Sequence, residues 1–463
     1  MDFSSANTAL WGVVIQFGII AAIILLANLL RRKIKVIKKS LMPTAVLGGF
    51  LLLLLRTSGI VKVDLEILEM ITYHGIALGF IAMSLQVPDK SKKSGSDRLA
   101  APKSGALIVS TYLVQGIIGL IISLLLVYTI MPEFFAAAGV LLPMGYGQGP
   151  GQANNVGSTY ESLGFMGGRS FALSIAAAGY LSACIVGVIY IFVMNKRGKI
   201  VVKDQGDISG SVTVDTFQDK DEIPISESID KLSMQVALVV IVYFLTYLVT
   251  RGLSGLAGAL GEGLSVTVSS LLWGFNFIIG SVIAILARTG LKGLRKAKLM
   301  TRQYQNNYLL SRISGLAFDL MIVAGVASIE ISDLSGLWLP FVLMSVAGAI
   351  ITLIYLEWIC KRIYSGYYYE GMLSMYGMMT GTISSGVLLL REIDPMFESP
   401  AANNLIIGSS MAVVFGVPML LLIGVAPEQP LLTLILMVIY LALLLLFMLK
   451  FQGRKTKTSK RLK

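Results

Sequence analysis

Histidine occurs once in 463 residues, cysteine twice, and charged residues make up only 14% of the chain. The lone His74 has no second histidine or paired cysteines with which to hold zinc, and a Ser-His-Asp enzyme would need partners that the sequence does not place. Cys184 and Cys360 fall in different apolar blocks without CxxC spacing, which excludes a disulfide or redox framework and makes them packing residues. Charge this sparse excludes a soluble chain, because the two or three domains expected at this length would need charged surfaces. Short alternating strands separated by turns are also missing, which excludes an outer-membrane barrel. Neither a catalytic constellation nor a cofactor motif is found, so the expectation is a protein that is not an enzyme and carries no cofactor.

What the sequence does have is apolar length. Hydrophobic residues make up 55% of the chain and the mean hydropathy is +0.78. Many runs approach the roughly 20 residues that a helix needs to cross a hydrocarbon core. The fold class expected is an all-α polytopic membrane protein. The net charge of +12 gathers in short loops: "RRKIKVIKK", "DKSKKSGSDR", "NKRGK", "RTGLKGLRKAK", "CKR" and the tail "KFQGRKTKTSKRLK". This is a positive-inside pattern and not a nucleic-acid surface. The first block, 9–30, has no basic residue before it and no small-residue cleavage site after it. It is expected to be a retained helix with the N-terminus outside, and no signal peptide is evident.

Holding the basic loops in the cytoplasm fixes a path. Spans are expected at 9–30, 41–55, 70–87, 104–131 and 171–194, then at 233–250, 266–287, 309–329, 337–359 and 405–424, with a further helix at 431–449 that returns the tail to the cytoplasm. Residues 132–170 then begin and end outside, and residues 364–402 begin and end inside. Each is too short and too interrupted for two spans, so each is expected to be a re-entrant hairpin. The resulting expectation is an inverted repeat of two five-helix halves. Residues 1–199 form the first half, 200–231 an acid-rich cytoplasmic linker, 232–427 the second half, and 428–463 an extra C-terminal helix with a basic cytoplasmic tail. The protein is expected to be multi-pass in the cytoplasmic membrane.

The first hairpin reads "LLPMGYGQGPGQANNVGSTYE". Backbone that leaves a helix at membrane depth is tolerated only against protein or a water-filled cavity. Gly147, Gly149 and Gly151 let the chain turn and approach a ligand, and Tyr146, Gln148, Gln152, Asn154 and Asn155 offer neutral donors and acceptors. The plainer reading is that these amides satisfy their own loop. In the second hairpin Gly377 and Gly381 join Thr380 and Thr382 as substrate-binding candidates, while Thr380, Thr382, Ser384 and Ser385 offer hydroxyl oxygens to substrate or sodium, or else permit close packing. Asp319 and Asn276 are polar residues within spans and join Ser384 and Ser385 as the candidate sodium set. The bland alternative for Asp319 is a pair with Arg312 on the same helix. His74 is assigned an interfacial structural role, and Glu357 with Tyr367, Tyr368 and Tyr369 an aromatic belt.

Four stretches, "MPTAVLGGFLL", "ALGFIAMSLQV", "RISGLAFDLMIVAGVASIE" and "YYYEGMLSMYGMMTGTISSGVLLLREI", resemble the corresponding stretches of the bacterial sodium/glutamate symporters, the glutamate:Na⁺ symporter (ESS) family. With the hairpin order, the resemblance runs through nearly the whole chain up to the tenth span. It implies uptake of glutamate or a similar small carboxylate or amino acid coupled to sodium, with both hairpins approaching the translocation site. A carboxylate entering a low-dielectric site needs a compensating cation. Arg391, directly after the second hairpin's "GVLLL" run, is the candidate, against a hydrated end formed with Glu392 and Asp394. The expected partners are therefore the solute, sodium and the lipid bilayer, with no nucleic acid; a homodimer stays open. A channel or sensor that uses the same hairpins without coupled transport is the alternative.

Overall fold

The computed structural model describes residues 4, 6–39, 42–87, 100–200, 231–257, 269, 272–274, 276–300, 302–364, 366–394 and 399–450. Residues 201–230 of the linker predicted at 200–231, the basic loop "DKSKKSGSDR", most of the start of the span at 266–287 and the tail from 451 lie outside the described residues. Every regular element described is helical. They are α1 (Thr8–Lys33), a short α2 (Lys35–Lys39), α3 (Thr44–Thr57), α4 (Leu65–Leu85), α5 (Ala100–Thr129), a 3-10 turn (Ala136–Val140), α6 (Leu141–Tyr146), α7 (Pro150–Ser162) and α8 (Gly168–Lys196). Then follow α9 (Lys231–Ala257), α10 (Asn276–Lys296), α11 (Asn307–Ala327), a 3-10 turn (Ile331–Leu334), α12 (Trp338–Ile363), α13 (Tyr368–Thr380), α14 (Ile383–Arg391), α15 (Ala401–Val425) and α16 (Pro430–Lys450).

Among the described residues nine helices are long and apolar enough to cross a membrane: α1, α4, α5, α8, α9, α10, α11, α12 and α16. Large apolar side chains such as Leu25, Phe192, Phe244 and Leu446 point outward from them, as a lipid-facing surface requires. The protein is a helical, multi-pass membrane protein. Helix α3 has 14 residues, so at 1.5 Å per residue it reaches only about 21 Å against a hydrocarbon core of about 30 Å. It starts directly after Pro43, which fixes its first residue.

Local chemistry sets several of the other boundaries. The Asp64 side chain accepts the Glu66 amide at 3.0 Å and starts α4 five residues before the predicted position. Asn306 does the same for α11, accepting the Leu309 amide at 2.8 Å. Helix α1 closes on Arg31, Arg32 and Lys33, cations favoured at a helix C-terminus.

The helices pack as two bodies. In the first, Ile20 of α1, Val46 and Leu52 of α3, Leu68 and Ile76 of α4, Phe277 of α10 and Met321 of α11 share one buried cluster. A neighbouring cluster joins α4, α9, α10 and α11 through Ile81, Val242, Ala284 and Leu310. The second body gathers α5 to α8 and α12 to α16 around Leu113, Leu142, Phe171, Met344, Tyr376 and Met437. Within the first body α3 lies against α1 and α11, and α10 lies correspondingly against α9 and α4.

Helix ends collect at two poles. At one, Arg169 pairs with Glu69, Ser170 donates to Asp333 at 2.7 Å and Arg56 donates to the Ile329 carbonyl. At the other, the Asn307 side chain accepts from and donates to the Val87 backbone, both at 2.7 Å, Arg288 donates to the Gln86 carbonyl, and Asn404 donates to Tyr367.

Candidate functional site

Two helix breaks face each other inside the second body. Helix α6 ends at Tyr146, and the Gly149 amide still donates to the Gly145 carbonyl at 3.1 Å. Gly149 then takes φ 81° and ψ −173°, and α7 restarts with Pro150 at its first position. The second break runs through Gly381 (φ −146°, ψ −106°) and Thr382 (φ −141°, ψ 173°) before α14 begins at Ile383. A β carbon built on Gly149 would lie 3.8 Å from both the Gly381 carbonyl oxygen and Thr382 Cγ2, and 3.4 Å from the Tyr180 hydroxyl. The two breaks therefore touch.

Three long helices brace them. Tyr146 donates to the Ser345 carbonyl of α12 at 2.5 Å and lies 2.9 Å from Ser182 Oγ of α8. Gln115 of α5 donates to Thr352 Oγ1 at 2.9 Å and to the Met379 carbonyl at 2.8 Å, two residues before Gly381. At α8, a β carbon on Gly179 would lie 2.4 Å from the Thr380 carbonyl, so the backbones approach closely there.

The breaks open on a cavity of about 160 Å³ between the two bodies. Its first-body wall is mostly apolar, with Ile76, Phe80, Phe277, Phe318 and Met321 beside Ser281; its second-body wall holds Gly147, Gln148, Gln152, Gly381 and Thr382. None of the described lining residues is charged. Around the breaks, Gln152 Oε1, Thr382 Oγ1, Ser385 Oγ, Gln115 Oε1 and the Tyr180 hydroxyl are buried and have no hydrogen-bond partner among the described residues. Acceptors held this way in a dry interior are costly unless a ligand uses them. The N-termini of α7 and α14, with their unsatisfied backbone N–H groups, also start at this cavity.

The structure thus gathers part of the predicted set. Gly147, Gln148, Gln152, Gly381 and Thr382 line the cavity, Gly149 shapes the turn beside it, and Ser385 lies next to Gly381. Gly151 packs into the first-body wall, where a β carbon would lie 2.5 Å from Ile76 Cδ1 and 2.6 Å from Met321 Sδ. Tyr146 and Thr380 turn their hydroxyls to backbone carbonyls, Thr380 to that of Tyr376 at 2.8 Å. Gly377 is a packing position at which a β carbon would meet the Ser385 carbonyl at 2.7 Å. Asn154 and Asn155 face a separate cleft. Asn276 donates to Tyr73 at 2.7 Å, and Asp319 on α11 is accessible and lies within electrostatic reach of Tyr180 beside the breaks. Arg312 lies over the Tyr308 ring at 4.9 Å, and no Asp319–Arg312 pair forms among the described residues. Arg391 sits in the last turn of α14 and does not line the cavity. The Ser384 side chain lies outside the described residues. His74 Nδ1 lies 2.6 Å from the Tyr243 hydroxyl.

Sequence reasoning passed over Gln115, Tyr180 and Tyr112. Gln115 is the one amide in the apolar run of α5, and a lone polar residue in a span is itself a signal. No family model matches the chain, and neither does any curated protein.

Proposed function

We propose that the protein is a secondary transporter: a sodium-coupled symporter of a small carboxylate or amino acid, with glutamate the solute to which the residue resemblance points. The observation that carries this reading is the meeting of two helix breaks at one cavity between two packed bodies. Broken helices at a shared site are how repeat-built transporters expose helix ends to their substrates. The N-termini of α7 and α14 supply positive ends for a carboxylate in a cavity whose described lining has no cation. The orphaned hydroxyl and amide oxygens of Thr382, Ser385 and Gln152 suit a hard monovalent cation.

The inverted repeat of two five-helix halves, each with a re-entrant hairpin, belongs to this proposal. It is supported by the exchange of neighbours: α3 on α1 and α11 in one half, α10 on α9 and α4 in the other. Phe135 stacks on Phe165 at 5.1 Å, which brings together the two ends of the 132–170 segment and supports its entry and exit at one pole. The pole holding Tyr367 and Asn404 is then cytoplasmic, and the N-terminus is outside. Alternating access follows if the second body, which carries both breaks, moves along the apolar wall of α4 and α11.

Purified protein in proteoliposomes, offered labelled glutamate and other small carboxylates, tests the reading. An inward sodium gradient is expected to drive saturable accumulation above equilibrium, and a potassium gradient is not. Solute that merely equilibrates, whatever the sodium gradient, would replace this reading with a channel.

A further inference from the structure

Resting on the transport reading, we propose that the cavity at the helix breaks selects a monocarboxylate with an apolar body, such as an aliphatic amino acid, over a dianion such as glutamate. The two ends of the cavity differ in chemistry, and only one of them suits a carboxylate.

The polar end lies at the breaks. Gln148, Gln152 and Thr382 line it, and Tyr112 lies against the first break, where a β carbon on Gly147 would come within 2.4 Å of its ring. The N-termini of α7 and α14 open at the same end, and their free N–H groups and positive dipole ends serve one carboxylate. The two other polar side chains of the described lining are occupied: Ser281 donates to the Phe277 carbonyl at 2.9 Å and Ser409 to the Leu405 carbonyl at 2.6 Å.

The opposite end is a preformed apolar surface. The Phe80 ring packs against those of Phe277 and Phe318, with its centroid 5.4 Å from each, and Ile76, Met83 and Met321 continue the wall. A second carboxylate placed there would lose its water and gain no donor, which is costly for a charged group. No cation of the lining helices stands ready to offset that cost. Lys103 on α5, Arg288 on α10, Arg312 on α11 and Arg391 on α14 are each at least six residues from the nearest lining residue on the same helix, about 9 Å at 1.5 Å per residue. Arg288 is spent on the Ser84 and Gln86 carbonyls, and Arg312 lies over the Tyr308 ring. Asp319, the residue after Phe318, is itself an acid and repels a second carboxylate. An aliphatic chain, by contrast, gains from every methylene that it buries against these rings.

Calorimetric titration of the purified full-length protein in sodium chloride tests the assignment with leucine, valine, 4-methylpentanoate and glutamate. Leucine or 4-methylpentanoate, which keeps leucine's chain and lacks its ammonium, is expected to bind saturably, and the tighter of the two shows whether the ammonium is recognised. Valine, one methylene shorter than leucine, is expected to bind about tenfold more weakly than leucine, and glutamate at least about tenfold more weakly than the tighter apolar acid. Met83 is only partly buried and lysine keeps its unbranched chain. Met83→Lys therefore places a cation at the apolar end, and is expected to shift the preference toward glutamate by about tenfold. Glutamate binding as tightly as the apolar acids, affinity that ignores chain length, or no saturable binding of either leucine or 4-methylpentanoate would overturn the proposal. Sodium-driven accumulation of glutamate but not of leucine in proteoliposomes would also overturn it while leaving the transport reading intact. Leucine binding without sodium-driven accumulation of any solute would uphold the cavity's selectivity and remove the transport reading instead.

Discussion

At the scale of single residues, the three glycines of the first break are not equivalent. Gly149 has a neighbour at an ordinary 3.4 Å but a backbone, φ 81° with ψ −173°, that only glycine adopts freely. Gly149→Ala is therefore expected to cost about 1–3 kcal/mol, seen as a lower melting temperature in detergent together with lost uptake. Gly151 has an ordinary helical backbone, and its added methyl would meet Cδ1 and Cβ of Ile76 and Sδ of Met321, both residues on the other body. Gly151→Ala is expected to slow uptake and to lower the melting temperature, because the methyl meets the buried Ile76 close to its backbone where the two bodies pack. Arg391 stands outside the cavity lining, so Arg391→Ala is expected to leave the KM for the solute unchanged. A raised KM would mean that Arg391 reaches the solute in another conformation.

At the scale of elements, the question is what holds two interrupted helices in place when neither can pair all of its own backbone groups. Tyr146 and Gln115 answer it by hydrogen-bonding from the breaks to α12 and from α5 to α12 and α13. Tyr146→Phe removes the donor to the part-buried Ser345 carbonyl, which keeps its place in the α12 ladder, so a loss of about 0.5–1.5 kcal/mol of stability is expected, with KM unaltered. A shifted KM with unchanged stability would make Tyr146 a ligand instead. Gln115→Leu and Thr352→Val should be less than additive in melting experiments, since both delete the same hydrogen bond.

Most of the spans were legible in the sequence because apolar length alone marks them, those at 41–55 and 405–424 answering to shorter apolar helices among the described residues; the first break was legible because its glycines and proline disfavour a continuous helix. The start of α4 was not, because Glu66 and Glu69 make its first turns look like loop, and only the Asp64 cap reveals the helix. The cavity wall on α4, α10 and α11 was equally hidden. Ile76, Phe80 and Phe318 look like any other span residues until the halves pack together, and the separation of Asn154 from Gln152 depends on which helix each side of α7 meets.

At the scale of the whole molecule, the clustering of helix ends defines two poles, and loop charge supplies the expectation of which of them is cytoplasmic. Ser158 lies in the cleft beside Glu66 and Glu69, at the pole where Arg169 and Asp333 are tied; Pro400 precedes α15 at the pole where Asn404 meets Tyr367. The basic loops "NKRGK" and "CKR" end α8 and α12, helices whose starts lie at the Ser158 pole. Lys and Arg are retained on the cytoplasmic side, so the Ser158 pole is expected to face outward. The native thiols barely interfere, with Cys184 5% exposed and Cys360 fully buried. Ser158→Cys should therefore react with an impermeant maleimide added to intact cells, and Pro400→Cys only after the membrane is opened. Reaction of both positions from the same side would break the opposed arrangement of the two hairpins, and with it the inverted repeat on which alternating access rests.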